Sequence, residues 1–176
     1  PKTEAGKGYL RLNKNLFLYD PTTGKWERQT ERERIAGTDS RRRDLDEMKL
    51  SEEYDARYVA QEQLGRFAVH HIVLKAKSGQ EVAYPLVHLW IDIKTGNPLK
   101  QQDHAQSGKL MRTVYRPKWD SIYSKQKGGS ISVPKEMHIY DEVEKGKNTV
   151  IVFLSVVMEE LPGNIFTKAW LESKSR

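Results

Sequence analysis

Residues 84–119, YPLVHLWIDIKTGNPLKQQDHAQSGKLMRTVYRPKW, decide how this chain folds. From residue 86 to residue 93 apolar side chains alternate with polar ones, which is the two-residue period of a pleated strand. Gly96 and Pro98 then favour a tight reversal, because glycine adopts positive φ and proline has a fixed φ. Residues 99–104 predict a polar returning strand, and Gln106-Ser107-Gly108 turns the chain into residues 109–116. The stretch therefore predicts three antiparallel strands, and it contains no catalytic motif.

The flanking sequence predicts further strands of the same kind. They are residues 8–12, 15–20, 26–30, 54–63, 66–77, 131–142 and 149–158. Pro134 interrupts one of these strands, which indicates an edge or a bulge. Residues 149–158, TVIVFLSVVM, are the most hydrophobic strand, and residues 165–172 predict a short C-terminal helix. With about ten strands and no βαβ alternation, the pattern predicts a mainly β fold, a strongly curved antiparallel sheet that forms an incomplete barrel.

A long charged loop separates the first three strands from the rest. Residues 31–53 hold many alternating charges and few large apolar residues, which predicts a loop with one helical turn. Within it Arg41, Arg42 and Arg43 are candidates for binding an oxyanion, because guanidinium groups bind phosphate and carboxylate with two hydrogen bonds. The alternative is a solvated loop in which the neighbouring acidic residues neutralise the three arginines.

Composition limits the class of protein. The 176 residues fit one domain, and 37% hydrophobic with 31% charged residues are typical of a globular protein with a heavily charged surface. The net charge of +6 favours anionic partners such as lipid headgroups, nucleic acid or an acidic protein patch. With no cysteine, disulfides and thiolate metal sites are excluded. No apolar run reaches the ~18 residues of a membrane-spanning helix, and no signal peptide is visible.

The histidines do not form a recognisable site in the sequence. His70 and His71 are neighbours on a predicted strand, so their side chains point to opposite faces and do not chelate one ion together. The other three, His88, His104 and His138, lie on separate strands without the spacing of a metal-binding motif. No hydrolase, zinc-protease or phosphate-loop motif occurs either. The sequence therefore predicts no catalytic residue, no metal site and no cofactor.

Several motifs together resemble the outer membrane lipoprotein-sorting proteins, the LolA-like family. They are W-I-D at residues 90–92, T-G-N-P-L-K at 95–100, G-K-L-M-R-T at 108–113, GTDSRRRDLD at 37–46, and LPGNIFTKAWLE at 161–172. The resemblance covers almost the whole chain. It implies one half-barrel domain over residues 1–176 that lacks the family's N-terminal helix and first strands. The strand at residues 8–12 is then expected to be an exposed edge that associates with other chains.

The resemblance also implies a function. Proteins of this family shelter acyl chains in an apolar concave cavity, so the expectation is a periplasmic, non-catalytic carrier that receives lipoprotein or lipid from an inner-membrane transporter and moves it towards the outer membrane. The apolar candidates for contact with the cargo are Phe67, Val69, Val73, Leu89, Ile91, Val152 and Leu154. Arg41, Arg42 and Arg43 are the candidates for contact with a headgroup or with a protein partner.

Two other classes of function compete with the carrier. An interaction or sensor module could use the same curved sheet to hold a protein partner. Nucleic-acid binding could exploit the positive charge together with dispersed aromatic residues. These aromatic residues are not clustered as in an RNA-recognition sheet, and packing in the core or around a cavity explains them more simply. The sequence therefore predicts no nucleic-acid partner and only peripheral contact with membranes.

Overall fold

The computed structural model describes residues 5–13, 15–30, 34, 38–41, 44 and 49–175. The chain divides into two compact units, the first made of residues 1–42 with 159–176 and the second of residues 43–158. The fold is mainly β with antiparallel sheets that do not close into a barrel, which confirms the predicted fold class. The grouping of the whole chain into one domain stays a prediction.

The first unit contains a three-stranded meander. Its strands are β1 (Gly8–Leu12), β2 (Asn15–Asp20) and β3 (Lys25–Gln29), in the spatial order β1-β2-β3. Asn13 takes the positive φ of 54° that the turn between β1 and β2 requires. Strand β1 is thus an edge of this sheet, as the sequence predicts, while its association with other chains stays a prediction.

A C-terminal helix of the first unit packs on the three-stranded sheet. A 3-10 helix, Gly163–Phe166, precedes helix α2, Lys168–Lys174. The predicted short C-terminal helix is therefore confirmed, although its α-helical part spans Lys168–Lys174 and not residues 165–172. The backbone of Thr167 is extended, and its side-chain oxygen accepts a hydrogen bond from the Trp170 amide at 3.2 Å, so a new helix begins there. A Cβ on Gly8 would lie 2.7 Å from the Leu171 Cδ1, so glycine permits this close approach.

The second unit is built on a seven-stranded meander. After the short helix α1 (Leu50–Glu53), its strands are β4 (Tyr54–Leu64), β5 (Phe67–Ala76), β6 (Leu86–Asp92), β7 (Pro98–His104), β8 (Leu110–Ser124), β9 (Gly129–Asp141) and β10 (Asn148–Val152). Each strand pairs with its neighbour in sequence, in the order β10-β9-β8-β7-β6-β5-β4. The three strands predicted within residues 84–119 are confirmed as β6, β7 and the first part of β8.

The turn between β6 and β7 shows how sequence determines this meander. The Asp92 carboxylate accepts hydrogen bonds from the amide and the hydroxyl of Thr95, at 3.1 and 2.6 Å. Gly96 adopts a φ of 73° and donates its amide to the Asp92 carbonyl at 2.9 Å. The two bonds from Thr95 favour the charged form of the Asp92 carboxyl group, so they lower its pKa. The reversal predicted at residues 94–98 is confirmed by these turn hydrogen bonds.

Of the last two strands, β9 has the predicted bulge and β10 is shorter than predicted. The pairing of β8 with β9 shifts register beside Lys118 and Trp119, and Trp119 lies opposite Pro134, which confirms the predicted bulge. Strand β10 ends at Val152, so the prediction of a strand through Met158 is wrong. Hydrophobicity alone does not extend a strand, because an edge segment needs a partner for its backbone. The Phe153 amide makes the last bond to β9, at 3.0 Å from the Lys135 carbonyl.

One cluster of the second unit's apolar core lies at the β4–β6 end of its sheet. Tyr54 of β4, Leu74 of β5 and Leu89 of β6 are nearly inaccessible to solvent. The loop before β6 covers them with Val82, Ala83 and Tyr84, and the Tyr54 hydroxyl donates a 2.9 Å hydrogen bond to the Tyr84 carbonyl. Helix α1 adds Leu50 to the same cluster. The protein's own loops thus fill this part of the sheet.

Candidate functional site

The seven-stranded sheet has two chemically different faces. Residues directly opposite each other on paired antiparallel strands share a face, and successive residues alternate between faces. One face, here called the core face, carries Ile72, Leu74, Val87, Leu89, Gln101, Asp103, Arg112, Val114 and Ile139. The other, here called the histidine face, carries His71, Val73, His88, Trp90, Lys100, Gln102, Thr113, Tyr115, His138 and Tyr140.

The register divides the predicted cargo-contacting residues between these faces. Leu89 and Ile91 lie on the core face, where Leu89 is buried. The histidine face also carries Phe67, Val69 and Val73, because they are separated from His71 on β5 by even numbers of residues. A shift of one residue in a strand's register moves its whole apolar set to the opposite face, and the sequence alone does not determine that register. The contact of these residues with cargo stays a prediction.

The other two candidates belong to an exposed apolar segment, residues 150–158. Val152 ends β10 and is 51% exposed, and Leu154, beyond the strand, is 93% exposed. Val150, Val157 and Met158 are exposed as well, and no charged residue lies within the segment. Burying such a run against another molecule is favourable, because apolar area removed from water lowers the free energy. Residues 150–158 are thus an exposed apolar run of the second unit that suits contact with an apolar ligand.

A buried ion-pair network occupies the core face beside the apolar core. The guanidinium of Arg112 on β8 donates from Nη1 and Nη2 to the two carboxylate oxygens of Asp44, at 2.7 and 2.6 Å. Its Nε donates to Asp103 on β7 at 2.6 Å. Burial alone would lower the pKa of Arg112, but the charges of Asp103 and Asp44 outweigh it and the pKa is raised. The arginine is thus held in its charged form by two carboxylates.

A second arginine and a glutamine extend this network. Gln101 donates to Asp103 at 2.7 Å and accepts a 3.1 Å hydrogen bond from Nη2 of Arg116. Burial lowers the pKa of Arg116, whereas Asp44 and Asp103 raise it in part. Two arginines and two aspartates balance in charge, as groups this deeply buried require. We call Asp44, Gln101, Asp103, Arg112 and Arg116 the buried ion network.

Asp44, an acidic residue of the charged loop, is bound to the sheet through this network. Asp44 directly follows the three arginines that the sequence analysis singled out, and its side chain is only 3% exposed. Arg41 is half-buried and forms an isolated bridge with Arg34 in the first unit. Arg42 and Arg43 lie outside the described residues. Asp44 and Arg112 are not among the predicted site residues, although Asp103 and Arg112 flank the predicted turn at residues 106–108 and pair across it.

The histidine face gathers three imidazoles on neighbouring strands. His71 of β5 and His88 of β6 approach to 2.9 Å between Nε2 and Nδ1, and the rings of His88 and His104 of β7 lie 4.8 Å apart. Spacing in the sequence does not predict this proximity, because the register of β5, β6 and β7 brings the three rings together. The prediction that His70 and His71 point to opposite faces is confirmed, since His70 pairs with Ile91 on the core face.

Trp90 and Glu62 hold the histidine face in place. The indole of Trp90 stacks on His71 at 4.4 Å between ring centroids, and Lys100 lies 4.2 Å from the indole centroid. The Glu62 carboxylate accepts 2.8 Å and 2.7 Å hydrogen bonds from Trp90 and from His71 Nδ1. These two bonds lower the pKa of Glu62. Burial and the charges of nearby cations lower the pKa of His88.

The described residues contain neither a metal-binding cluster nor a membrane-spanning helix. No group of three or more His, Cys, Asp or Glu side chains among them is arranged to hold a metal ion. None of the described helices is long and apolar enough to cross a membrane. In the first unit an open pocket of about 740 Å³ lies between the turn after β2 and helix α2, with Tyr19, Pro21 and Glu172 in its lining.

Comparison with known proteins supports the fold and the resemblance. A protein-family model with the description "-like: Uncharacterized protein" matches residues 1–173. No curated protein sequence matches the chain. The chain is similar in structure to a domain from Vibrio parahaemolyticus assigned to outer membrane lipoprotein sorting, with a TM-score of 0.82 and 18% identity over 98% of this chain and 74% of the other.

Two more crystal structures are similar over nearly the whole chain. A LolA superfamily protein from Nitrosomonas europaea has a TM-score of 0.78 and 21% identity, over 97% of this chain and 74% of its own. A DUF1329 family protein from Desulfovibrio piger has a TM-score of 0.84 and 18% identity, over 97% and 73%. The LolA-like resemblance stated from the sequence motifs is therefore confirmed at the level of the fold.

Proposed function

We propose that this chain is a non-catalytic carrier of acyl chains from lipid or lipoprotein. It belongs to the protein family whose model matches residues 1–173. The exposed apolar segment is the observation that carries the proposal. It leaves Val152 at the end of β10, and Leu154 and Val157 beyond that strand, exposed to water in a chain similar in structure to a LolA superfamily protein. The fold likeness supports a carrier because one similar structure is assigned to lipoprotein sorting and another to the LolA superfamily.

Apolar burial would dominate the affinity of such a carrier. Each methylene removed from water contributes about 0.8 kcal/mol, so a chain of about sixteen carbons could gain roughly 12 kcal/mol before ordering costs reduce it. One polar contact with a headgroup contributes about 1 kcal/mol. Cargo choice should therefore depend first on the length of the acyl chain and only then on its headgroup.

The charged groups of the protein have a secondary role in this proposal. The net charge of +6 favours an anionic headgroup or an anionic membrane surface in the encounter. Arg41, Arg42 and Arg43 are proposed to contact that headgroup or the partner protein. On this account the carrier works in the periplasm, between an inner-membrane transporter and the outer membrane, and touches membranes only peripherally.

Displacement of a fluorescent fatty-acid probe tests the proposal. Lipids of graded chain length should displace the probe more strongly as the chain grows. Leu154→Asp should weaken probe binding at least tenfold, because it puts a charge into the apolar contact. Leu154 is 93% exposed, so this variant should fold normally.

Val143→Asp provides the matched control. Val143 is 44% exposed and lies in the turn after β9, outside the exposed apolar segment, so its replacement should leave binding unchanged. Affinity that ignores chain length but follows headgroup charge would contradict the carrier and leave a surface electrostatic binder. Steep salt dependence of binding to an oligonucleotide would instead favour a nucleic-acid partner.

A further inference from the structure

The three imidazoles of the histidine face form a diagonal across three strands. His71, His88 and His104 come from β5, β6 and β7, with ring centroids 5.1 Å apart for the first pair and 4.8 Å for the second. Nδ1 of His104 is buried and has no hydrogen-bond partner among the described residues. Imidazoles titrate near neutral pH, so three of them in contact make the charge of this face sensitive to small pH changes.

The hydrogen bonds limit how many protons the first pair can hold. The Glu62 carboxylate only accepts, so Nδ1 of His71 must carry a hydrogen in the 2.7 Å bond between them. The 2.9 Å contact between His71 Nε2 and His88 Nδ1 then has room for one hydrogen. The pair can be neutral or carry one positive charge while this contact persists. A second added proton would place two N–H groups against each other and break it.

The surrounding charges disfavour that second proton. The neighbouring strands direct Asp55, Arg57, Glu62, Lys75, Lys100 and Tyr115 to the same face. Burial lowers the pKa of His88 first, followed by the charges of His104, His71 and Arg57. Glu62 has a lowered pKa, so it stays ionised in mild acid and keeps its hold on His71. Mild acid therefore adds protons to the imidazoles of this face and not to Glu62.

We propose that Glu62, His71, His88 and His104 form a proton-binding site in which mild acid breaks the hydrogen bond between His71 and His88. When the two cations separate, His88 moves away from His71 and from the indole of Trp90, whose centroid lies 6.1 Å from the His88 ring. Trp90 is 8% exposed and gains exposure in that step. The face also gains positive charge. The site is independent of the acyl-chain proposal, because it lies on polar side chains outside the exposed apolar segment.

Nuclear magnetic resonance titration of the histidine ring protons tests the site in the unaltered full chain. His71 and His88 should titrate together in two steps separated by more than about one pH unit, as coupled groups do. His138 supplies an internal control, because it contacts the Glu136 carboxylate at 2.5 Å on the same face. Its ring signals report on an imidazole outside the cluster of three. Independent single-step titration of His71 and His88 would overturn the proposal.

Tryptophan fluorescence provides the second readout. Between pH 7.5 and pH 5 the emission of Trp90 should shift towards the red, and Trp90→Phe should abolish this shift. His88→Asn should abolish it too, since the pair is then absent, while His138→Asn should leave it intact. A red shift that survives His88→Asn, or emission that is constant with pH in the unaltered protein, would overturn the proton-binding site.

Discussion

Two polar clusters lie on opposite faces of the same sheet and differ in how they carry charge. In the buried ion network Arg112 is surrounded by Asp103 and Asp44, and all three side chains are at most 5% exposed. On the histidine face, His71 is 12% exposed and its partner Glu62 is 40% exposed. The first cluster uses groups that stay charged at any physiological pH, whereas the second uses groups that titrate.

This difference separates a structural role from a responsive one. A buried ion pair costs desolvation free energy and is strongly destabilising when one partner is removed, so the buried ion network should hold Asp44 to the sheet over a wide pH range. Imidazoles in contact instead change their interactions within the pH range of living cells. One face of the sheet thus carries ion pairs that should persist over a wide pH range. The other face carries contacts between imidazoles that should respond to pH.

Removing Arg112 should have the largest effect on this comparison. Arg112→Met leaves two buried carboxylates without their cation, which should lower the free energy of unfolding by about 3–5 kcal/mol. Chemical denaturation measures this value. Lys135→Met is the matched control, because Lys135 and Asp120 form a half-exposed pair at 3.3 Å. It should change stability by no more than about 0.5 kcal/mol. Equal losses of unfolding free energy in the two variants would show that the buried ion network stabilises the fold no more than a half-exposed ion pair does.

Neutralising Asp44 should have an intermediate effect. Asp44→Asn keeps the shape of the side chain but loses two charge-assisted hydrogen bonds to Arg112, so it should cost about 2 kcal/mol. Hydrogen exchange of the Asp44 amide should become faster, since residue 44 loses its connection to the sheet. Asp120→Asn, in the half-exposed pair, should alter neither quantity. Unchanged exchange in Asp44→Asn would mean that other contacts hold the loop.

The histidine face should give the protein a pH-dependent stability. Burial and neighbouring cations lower the pKa of His88 in the folded chain, so the unfolded chain binds more protons as the pH falls through about 6.5. The free energy of unfolding should therefore decrease from pH 7.5 to pH 5.5. His88→Asn should flatten this dependence, and His138→Asn should retain it. An identical slope in His88→Asn would assign the pH dependence to other groups.

The three arginines of the loop should matter least for stability. Replacing Arg41, Arg42 and Arg43 together by Glu should keep the melting temperature within a few degrees, because Asp44 makes the buried connection. Binding to vesicles of anionic lipid should weaken, since three positive charges become negative. Calorimetry and vesicle sedimentation measure the two effects. A collapse in melting temperature would show that these arginines support the fold as much as Arg112 does.

The sequence predicts local features of this protein better than distant ones. Alternation and turn residues such as Gly96 identify the meander, because both act within a few residues. The exposed apolar segment was predicted as a strand, since hydrophobicity does not reveal that a partner strand is missing. Asp44 and Arg112 are 68 residues apart, so no local pattern joins them. The histidine cluster depends on the register of β5 to β7, which alternation leaves undetermined.

Native mass spectrometry after incubation with phospholipid vesicles tests the central claim, that the exposed apolar segment binds acyl chains. The account predicts a mass increase equal to one lipid on the unaltered chain and on the control Val143→Asp. It predicts loss of that adduct in Leu154→Asp. A chain that remains free of lipid, or an adduct that Leu154→Asp retains in full, would contradict the account.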